Sequence, residues 1–280
     1  MVNYNGQLVD KNSFYLHGNN RGFLYGDALF ETIRVVNGRL IFWEDHYLRL
    51  MSSMRILRME IPKSFTMEFL EEQILKVFVE GEKNNSARIR ITVFRKNGGF
   101  YLPQSNEVSY LIGAEFLADT YYILNEASYE VELFKDFTLS ENMLSNLKTT
   151  NRVLNVVVSI YAKENGHDNC LLLNDSKSVV EALNGNIFLV KDKVLKTPPL
   201  EDGCIKGTIR KKILEIINKI DTYECQENSI TPFELQQADE LFITNSVMGI
   251  QPITKYRKKI FENKVAKELL GKLNAAARFN

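Results

Sequence analysis

The chain has 280 residues, which is enough to bury a sizeable core and suits one large domain or two modest ones. Its hydrophobic fraction of 45% and charged fraction of 25% are ordinary for a soluble globular protein. Thirty-five basic residues balance thirty-five acidic ones, so the charge gives no indication of binding to nucleic acid or an anionic membrane. The N-terminal residues show no signal-peptide pattern and no apolar run could span a bilayer, so we expect a cytoplasmic protein.

The cysteines and histidines predict neither disulfides nor a metal site. Cys170, Cys204 and Cys225 are odd in number and widely spaced, which is typical of a reducing compartment. The three histidines have no HxxxH or HxH spacing and there is no CxxC, so we expect no bound metal. The chain also lacks GxGxxG and GxxxxGK(S/T), which excludes the common dinucleotide and P-loop motifs.

The first part of the chain has the pattern of a sheet with two helices. Asn5-Gly6 and Asn37-Gly38 are residue pairs that tight hairpin turns favour, and β-prone runs flank both. Apolar residues at helical spacing predict helices over Glu44–Leu57 and Phe65–Glu80, and strict alternation predicts a strand over Arg88–Arg95. The other predicted strands are Val2–Tyr4, Leu8–Val9, Thr32–Val36, Leu40–Trp43 and Tyr110–Phe116.

The second part mixes short strands and helices without regular alternation, so a doubly wound parallel sheet is not expected. The predicted helices are Thr150–Lys163, Thr208–Ile220, Pro232–Ala238 and Val265–Leu273. The predicted strands are Cys170–Leu173, Val179–Leu183, Ile187–Val190, Tyr223–Gln226 and Leu241–Thr244. A boundary near Leu117–Asn125 divides the chain into a smaller N-terminal α/β domain over residues 1–119 and a larger C-terminal domain over residues 120–280.

Lys148 lies where a polar stretch gives way to an apolar run with helical spacing, and Thr149 or Thr150 could cap the predicted helix. At a helix N-terminus the macrodipole disfavours the ammonium form of a lysine. Such a position suits an amine that must lose its proton to attack a carbonyl. The alternative is a solvated lysine at an ordinary helix start.

Glu181 lies on the apolar strand predicted over Val179–Leu183. A carboxylate there is costly unless a cation meets it, and a pyridinium nitrogen would be an excellent partner. The alternative is a glutamate that faces outward from a half-buried strand.

Two short segments have the features of an anion site. Gly207-Thr208-Ile209 opens a predicted helix, where free backbone N–H groups can bind a phosphate. Thr244-Asn245-Ser246 follows a predicted strand and offers hydroxyl and amide donors, although these residues are also ordinary turn formers.

Six motifs in this order resemble the class IV (fold type IV) pyridoxal-phosphate enzymes, a family that includes branched-chain and D-amino-acid aminotransferases and aminodeoxychorismate lyase. The resemblance implies a mixed α+β and α/β fold with two domains, like that of D-amino-acid aminotransferase, and pyridoxal 5'-phosphate as the cofactor of the C-terminal domain. The motifs are NRGFLYGDALFETIR (20–34), EDHYLRL (44–50), LKTTNRV (147–153), VEALNGNIF (180–188), GTIR (207–210) and DELFITNS (239–246).

The resemblance also implies roles for individual residues. Lys148 would be the Schiff-base lysine that moves a proton at Cα, and Glu181 would meet the pyridine nitrogen. Arg49 corresponds to the phosphate-binding arginine of the family. The remaining residues that would hold the cofactor are Gly207, Thr208, Ile209, Asn245 and Ser246.

Three residues are expected near the substrate. Tyr25 matches a tyrosine close to the substrate site of the family. Arg88 and Arg90 share one face of their strand, so one or both could hold a substrate carboxylate, although paired surface arginines are the alternative.

Departures from the family pattern favour one member over the others. Branched-chain aminotransferases usually have a glycine where this chain has Thr32 and a tyrosine where it has Val153. Gly185 replaces a usual serine, which is expected to leave the backbone there less constrained. Thr32, the Lys-x-x-Asn-Arg-hydrophobic pattern that starts at Lys148 and the segment RKNGGFY (95–101) look more like aminodeoxychorismate lyase, which releases pyruvate and 4-aminobenzoate for folate synthesis.

The prediction is therefore a lyase of this family in which Thr32 assists proton delivery to the departing pyruvate portion. An aminotransferase for branched-chain or D-amino acids is the close alternative, and a non-catalytic cofactor carrier is a more distant one. The expected partners are a small-molecule amino substrate and a second copy of the chain in a homodimer, with no nucleic acid and no membrane.

Overall fold

The computed structural model describes residues 1–12, 14, 16–78 and 86–279. Over these residues no helix is both long and apolar enough to cross a membrane.

The chain divides into two compact units. Unit 1 consists of Met1–Tyr121 together with Lys148–Asn151, and unit 2 consists of Tyr122–Leu147 together with Arg152–Asn280. The predicted division between residues 119 and 120 would place the segment Lys148–Asn151 in the second domain, whereas the structure assigns this segment to unit 1.

Unit 1 is built on one antiparallel sheet. Its strands are β1 (Val2–Tyr4), β2 (Gln7–Val9), β3 (Ala28–Val36), β4 (Arg39–Leu40), β5 (Ser86–Arg95) and β6 (Val108–Phe116). The order across the sheet is β2-β1-β6-β5-β3-β4, and every neighbouring pair is antiparallel. The long central strands β3 and β5 therefore fix the geometry of this unit.

The two predicted hairpin turns are confirmed. Asn5 and Gly6 have φ angles of 49° and 92°, and they join β1 to β2 with Tyr4 opposite Gln7. Asn37 and Gly38 have φ angles of 49° and 75° between β3 and β4. Both pairs adopt positive φ at two successive residues, which asparagine and glycine tolerate best.

Three helices complete unit 1: α1 (Arg21–Tyr25), α2 (Trp43–Ile56) and α3 (Met67–Leu75). The predicted strand Leu40–Trp43 is wrong, because β4 ends at Leu40 and α2 begins at Trp43 after a left-handed Phe42. The predicted helix Phe65–Glu80 begins later, where the Thr66 side chain accepts a hydrogen bond from the Phe69 N–H. Its predicted end at Glu80 lies outside the described residues.

The two faces of β3 carry different side chains. Successive side chains of a strand point to opposite faces, so Leu29, Glu31 and Ile33 of β3 share one face, and Phe30 and Thr32 share the other. Leu29 and Ile33 on the first face are at most 1% exposed, Phe30 on the second is 8% exposed, and α2 packs against β3.

Unit 2 contains a larger, branched sheet of mixed direction. Its strands are β7 (Glu130–Leu133), β8 (Asn169–Leu173), β9 (Val179–Ala182), β10 (Gly185–Lys191), β11 (Val194–Thr197), β12 (Glu224–Glu227), β13 (Glu240–Asn245), β14 (Gly249–Ile253), β15 (Lys255–Tyr256) and β16 (Lys259–Ile260). The main path runs β12-β11-β10-β9-β8-β7-β15-β16, and β13 branches from β10 and pairs with β14. Parallel pairs occur only at β7–β8, β7–β15 and β11–β12 among these described strands, so the sheet is not doubly wound.

The helices of unit 2 are α4 (Val153–Glu164), α5 (Thr208–Ile217), α6 (Pro232–Gln237) and α7 (Lys264–Arg278), with a short 3-10 turn at Leu200–Asp202. Helix α6 starts as the sequence favours, because Thr231 and Glu234 form a reciprocal capping box and Pro232 occupies the first turn. The carboxylate of Glu240 accepts hydrogen bonds from the Val265 and Ala266 N–H groups at the start of α7.

Candidate active site

Lys148 lies in an extended segment that pairs with β3. The Phe30 N–H donates to the Lys148 carbonyl over 2.9 Å, and the Thr150 N–H donates to the Ala28 carbonyl over 3.1 Å. Leu29 and Thr149 form an antiparallel bridge between these two hydrogen bonds. Lys148 is therefore positioned by a strand that lies more than a hundred residues earlier in the sequence.

The predicted helix start at Thr150 is wrong. Helix α4 begins at Val153 with Arg152 as its N-cap, and no side chain caps it, so neither Thr149 nor Thr150 has the predicted capping role. The reason is that pairing with β3 holds residues 148–150 in an extended conformation, which a helix cannot include. The helix dipole consequently gives no account of how Lys148 is activated.

The side chain of Lys148 lies against Phe30. The Lys148 Nζ is 4.5 Å from the centre of the Phe30 ring, and the guanidinium carbon of Arg90 is 3.8 Å from the same centre. Thr32 is directly opposite Arg90 in the β3–β5 register and is half-buried. One face of the sheet thus presents an amine, an aromatic ring, a guanidinium and a hydroxyl within a few residues of one another.

The register separates the two candidate arginines. Arg88 lies on the same face as Arg90, but its Nη1 donates to Glu115 over 2.7 Å in an exposed ion pair. Arg90, in contrast, shares the Phe30 ring with Lys148. Arg90 therefore lies beside the lysine and Arg88 does not, and the substrate contact expected of one or both arginines stays a prediction.

Tyr25 is the last residue of α1. Its ring lies 5.8 Å from the Tyr101 ring, and the Arg21 guanidinium lies 5.0 Å from its centre. These contacts are with the loop that follows β5 and with the start of α1, so the predicted place of Tyr25 near the substrate stays a prediction.

Arg49 belongs to a buried ionic cluster on the opposite face of β3. Its Nε and Nη2 donate to the two oxygens of Glu31 over 2.7 Å and 2.5 Å, and His46 Nδ1 is 2.7 Å from Glu31 Oε2. We call Glu31, His46 and Arg49 the β3–α2 cluster. Both side chains of the His46–Glu31 pair are 1% exposed, and that of Arg49 is 10% exposed.

Burial and charge act in opposite directions on the two titratable groups of this cluster. Burial raises the pKa of Glu31, but the charge of Arg49 and the hydrogen bonds from His46 and Arg49 outweigh it and lower that pKa to about 2. The pKa of His46 is lowered mainly by burial, and the charges of Arg49 and Lys148 add to this, against the opposing effect of Glu31. The cluster therefore holds an ionised carboxylate, a guanidinium and a neutral imidazole at neutral pH.

A buried row of polar side chains crosses unit 2. Glu181 of β9 is opposite Asn186 of β10, and Asn186 is opposite Thr244 of β13. Their exposed fractions are 4%, 5% and 1%, so Glu181 is not the outward-facing glutamate of the alternative interpretation. Residues opposite one another in a sheet share a face, so the three side chains form one polar row.

The segment before α5 is bound to this row. The Ile205 N–H donates to Glu181 Oε2 over 3.0 Å, and Asn186 Nδ2 donates to the Ile205 carbonyl over 2.8 Å. A Cβ atom added to Gly207 would lie 2.0 Å from Asn186 Oδ1, so a side chain at this position would collide with the row. Gly207 is the N-cap of α5, and its lack of a side chain lets the free N–H groups of the helix start approach the row.

Two buried hydroxyls lie in this region of unit 2. Thr208 Oγ1, in the first turn of α5, and Thr244 Oγ1, in the polar row, are buried without a hydrogen-bond partner in the part of the chain that the structure describes. Unsatisfied buried hydroxyls are costly, so a ligand with acceptor oxygens is the expected partner. Ile209 is also buried, beside Thr208.

Gly185 lies where β13 closely approaches β10. A Cβ atom at this position would lie 2.4 Å from the Thr244 carbonyl oxygen and 2.6 Å from Ile243 Cγ2. The serine that is usual in the family would therefore collide with β13 here, and the expected freedom of the backbone at Gly185 stays a prediction.

Asn245 and Ser246 lie in the turn after β13. Asn245 Oδ1 accepts hydrogen bonds from the Val247 and Met248 N–H groups over 3.0 Å and 2.9 Å, which is the behaviour of a turn former. This oxygen is therefore used within the turn. Ser246 is half-buried, its carbonyl accepts from the Tyr122 hydroxyl over 3.3 Å, and the predicted phosphate contact of its own hydroxyl stays a prediction.

The geometry of both units agrees with comparisons to known proteins. Residues 28–256 match the amino-transferase class IV family. The chain belongs to this family. It is 30% identical over 276 residues to a putative branched-chain-amino-acid aminotransferase of Methanocaldococcus jannaschii, covering 96% of this chain and 92% of that one. It is 27% identical over 237 residues to an aminodeoxychorismate lyase of Vibrio harveyi, covering 84% of each.

A solved structure gives the same result for the fold. The branched-chain aminotransferase of Thermoproteus uzoniensis, crystallised with norvaline, matches with a TM-score of 0.85 and 26% identity, covering 97% of this chain and 92% of that one. The predicted family and its two-domain mixed fold are thus confirmed.

Members of this family are pyridoxal-phosphate-dependent enzymes, so the predicted cofactor is confirmed as well. The residues present fit such a group. Unit 2 offers the unpartnered hydroxyls of Thr208 and Thr244, the glycine-opened start of α5 and a buried carboxylate at Glu181. Unit 1 offers a half-buried amine at Lys148. Within the described ranges, no group of three or more histidine, cysteine or acidic side chains could hold a metal.

Sequence analysis missed two residues of this arrangement. Glu31 was noted only as part of a motif, although a glutamate inside the apolar strand over residues 28–36 is itself a signal of a buried partner. Asn186 carried no such signal, because its importance comes from the β9–β10–β13 register, which the sequence does not show.

The lowered pKa of His46 predicts a pH dependence of stability. As pH falls through about 6.5, the unfolded chain binds a proton at His46 while the folded chain resists it, so stability is present above this pH and is lost below it. The free energy of unfolding of the wild type, measured by urea titration between pH 7 and pH 5, is expected to fall more steeply than that of His46→Gln. The matched control is His17→Gln at an exposed position, which should keep the wild-type slope. Equal slopes for wild type and His46→Gln would contradict the prediction.

Proposed function

We propose that the protein is a 4-amino-4-deoxychorismate lyase, which eliminates pyruvate and releases 4-aminobenzoate. The observation that carries the proposal is the pairing of Thr32 with Arg90, on the sheet face where the Phe30 ring contacts both Arg90 and Lys148. A hydroxyl and a guanidinium in this arrangement suit a substrate that carries carboxylates and must gain a proton on its departing portion. This substrate class goes beyond what family membership alone establishes.

Pyridoxal phosphate, when bound, withdraws electrons from the substrate carbon that bears the amino group. In the proposed reaction the Lys148 amine removes the proton from that carbon. The Glu181 carboxylate holds a proton at the pyridine nitrogen, a role that its burial on β9 supports because a buried carboxylate needs a cationic or hydrogen-bonding partner.

Substrate orientation is assigned to Arg90. Its guanidinium stacks on Phe30, which limits its rotamers, and the residue opposite it on β6 is Gly113, which adds no side chain beside it. Arg88 is engaged by Glu115 and is not assigned a substrate role. Thr32 is placed to deliver a proton to the departing pyruvate portion.

An aminotransferase for branched-chain or D-amino acids is the second candidate. The 30% identity to the putative branched-chain-amino-acid aminotransferase of Methanocaldococcus jannaschii favours it. The same Lys148 and Glu181 would serve both reactions, and the difference is where the proton is returned. Thr32 is the side chain whose chemistry separates the two, because an aminotransferase has no leaving group to protonate.

Covalent attachment is the first test. Borohydride reduction of the yellow protein should fix the cofactor on Lys148, as read by peptide mapping. Lys148→Ala should keep the fold, measured by circular dichroism, and lose turnover by several orders of magnitude. Lys163→Ala, at an exposed position of α4, is the control and should remain fully active. A label on any other lysine contradicts the assignment.

Thr32 decides between the two reactions. Purified enzyme should release 4-aminobenzoate from aminodeoxychorismate faster than leucine or D-alanine converts the cofactor to its amine form, measured by absorbance. Thr32→Val removes the hydroxyl at nearly constant shape and should lower the lyase rate about 100-fold, as expected for a lost general acid. Thr32→Ser keeps the hydroxyl and should retain most activity. Rapid reaction of leucine or D-alanine, with no reaction of aminodeoxychorismate, would contradict the lyase proposal and support the aminotransferase.

Arg90 and Arg88 form a matched pair for testing carboxylate binding. Arg90→Gln removes a charge-assisted hydrogen bond and should raise KM for the substrate by about tenfold to a hundredfold. Arg88→Gln removes the same charge two residues earlier in β5. Glu115 already neutralises that charge, so the substitution should change KM little. Equal effects of the two substitutions would show that Arg90 acts only through the general positive charge of this face.

We also propose that the protein forms a homodimer, as the family resemblance implies. Helix α4 carries an exposed apolar stripe with helical spacing at Val153, Val156, Val157 and Ile160, and Val153 is 76% exposed. A second copy that brings the same stripe would bury both without an unpaired charge. In sedimentation velocity, Val156→Lys should shift the protein toward monomer, whereas Ser159→Lys, with the same charge outside the stripe, should not. A wild-type monomer at all concentrations would refute the proposal.

A further inference from the structure

The β3–α2 cluster holds Arg49 in a specific way. Glu31 accepts hydrogen bonds from both Nε and Nη2 of Arg49, so one edge of the planar guanidinium is fixed by a bidentate pair. Glu31 is itself immobilised, because it is 1% exposed and its Oε2 also contacts His46 Nδ1. The side chain of an arginine ordinarily loses considerable rotamer freedom when it binds an anion, and here much of that freedom is already lost.

The charge of Glu31 does not itself favour anion binding. A carboxylate beside Arg49 cancels part of its positive charge, so by Coulomb's law alone its removal would strengthen the attraction between Arg49 and a phosphate. A benefit from Glu31 must therefore come from orientation. His46 can support the carboxylate without adding a second cation, because burial lowers its pKa and keeps the ring neutral.

We infer that Glu31 is a positioning residue that presets the guanidinium of Arg49 for the phosphate of the cofactor. The inference rests on the phosphate-binding role that the family resemblance implies for Arg49. Because Glu31 holds the Nε/Nη2 edge, the orientation of the guanidinium is set before the phosphate binds. Glu31 touches neither substrate nor cofactor in this role and acts only through Arg49.

The test compares two ligands that differ only in the phosphate. Apo protein is titrated with pyridoxal phosphate and with pyridoxal, and binding is followed by absorbance and by the fluorescence of Trp43, the one tryptophan of the chain, which lies in α2 close to His46. Glu31→Gln should weaken binding of pyridoxal phosphate about tenfold and leave binding of pyridoxal within about twofold of wild type. Glu31→Asp keeps the charge but has a shorter side chain, and it should show the same selective loss. This second variant keeps the test valid if Glu31→Gln fails to fold.

Coupling and control variants complete the experiment. Arg49→Lys keeps the charge and loses the fork, so it should also lose affinity for pyridoxal phosphate selectively. The double variant Glu31→Gln/Arg49→Lys should bind pyridoxal phosphate no more weakly than the weaker-binding single variant. Both substitutions remove the same effect, which is the fixed orientation of the guanidinium. Glu115→Gln removes a carboxylate from the exposed pair with Arg88 in the same sheet and should leave both affinities unchanged.

The alternative roles of Glu31 give different results. A purely electrostatic role predicts tighter binding of pyridoxal phosphate to Glu31→Gln, and a purely structural role predicts equal losses for both ligands in both Glu31 variants. Either outcome overturns the inference. If Arg49→Lys selectively loses affinity for pyridoxal phosphate while both Glu31 variants bind it as tightly as the wild type, the positioning role of Glu31 is refuted and the phosphate role of Arg49 stands. If Arg49→Lys and Arg49→Ala both bind pyridoxal phosphate as tightly as the wild type, Arg49 does not bind the phosphate and the inference fails as well.

Discussion

The pairing of residues 148–150 with the start of β3 is the interaction on which the chemistry of unit 1 depends. Two backbone hydrogen bonds and one bridge bring Lys148 next to Phe30, although the two residues are far apart in sequence. Alternation along β3 then decides what each neighbouring side chain can do. Phe30 and Thr32 lie on the face that the lysine and Arg90 share, and Glu31, between them, faces the buried side and meets Arg49. One strand thus supports two different chemical environments.

In unit 2, polar side chains are buried inside an apolar sheet. Glu181, Asn186 and Thr244 are buried beside residues such as Ile187 and Ile243, where an unsatisfied polar group costs free energy. The segment before α5 satisfies part of this row through the backbone of Ile205. The hydroxyls of Thr208 and Thr244 have no hydrogen-bond partner among the described residues, so a bound ligand with acceptor oxygens is expected to offset the cost of burying them.

Local signals predicted local structure well, and non-local pairing accounts for the errors. The Asn-Gly turns and the glycine start of α5 follow from backbone preferences of single residues, so they could be found in the sequence. The start of α4 could not, because the strand that holds residues 148–150 extended is β3, which is distant in the sequence. The different surroundings of Arg88 and Arg90 likewise needed the β5–β6 register, which brings Glu115 to Arg88. The polar row depended on three strands at once and was missed for the same reason.

Similarity along the whole chain does not separate the two candidate reactions, because both need the same scaffold. In the roles that the family resemblance implies, the lysine, the glutamate on β9 and the glycine before α5 would serve any chemistry that starts by removing the proton from the carbon that bears the amino group. An aminotransferase relative at 30% identity and a lyase relative at 27% are therefore equally compatible with this set. What differs is the fate of the electrons after that step, which depends on whether a proton donor stands beside a leaving group. In this chain that question reduces to the hydroxyl of Thr32, which the β3–β5 register places opposite Arg90.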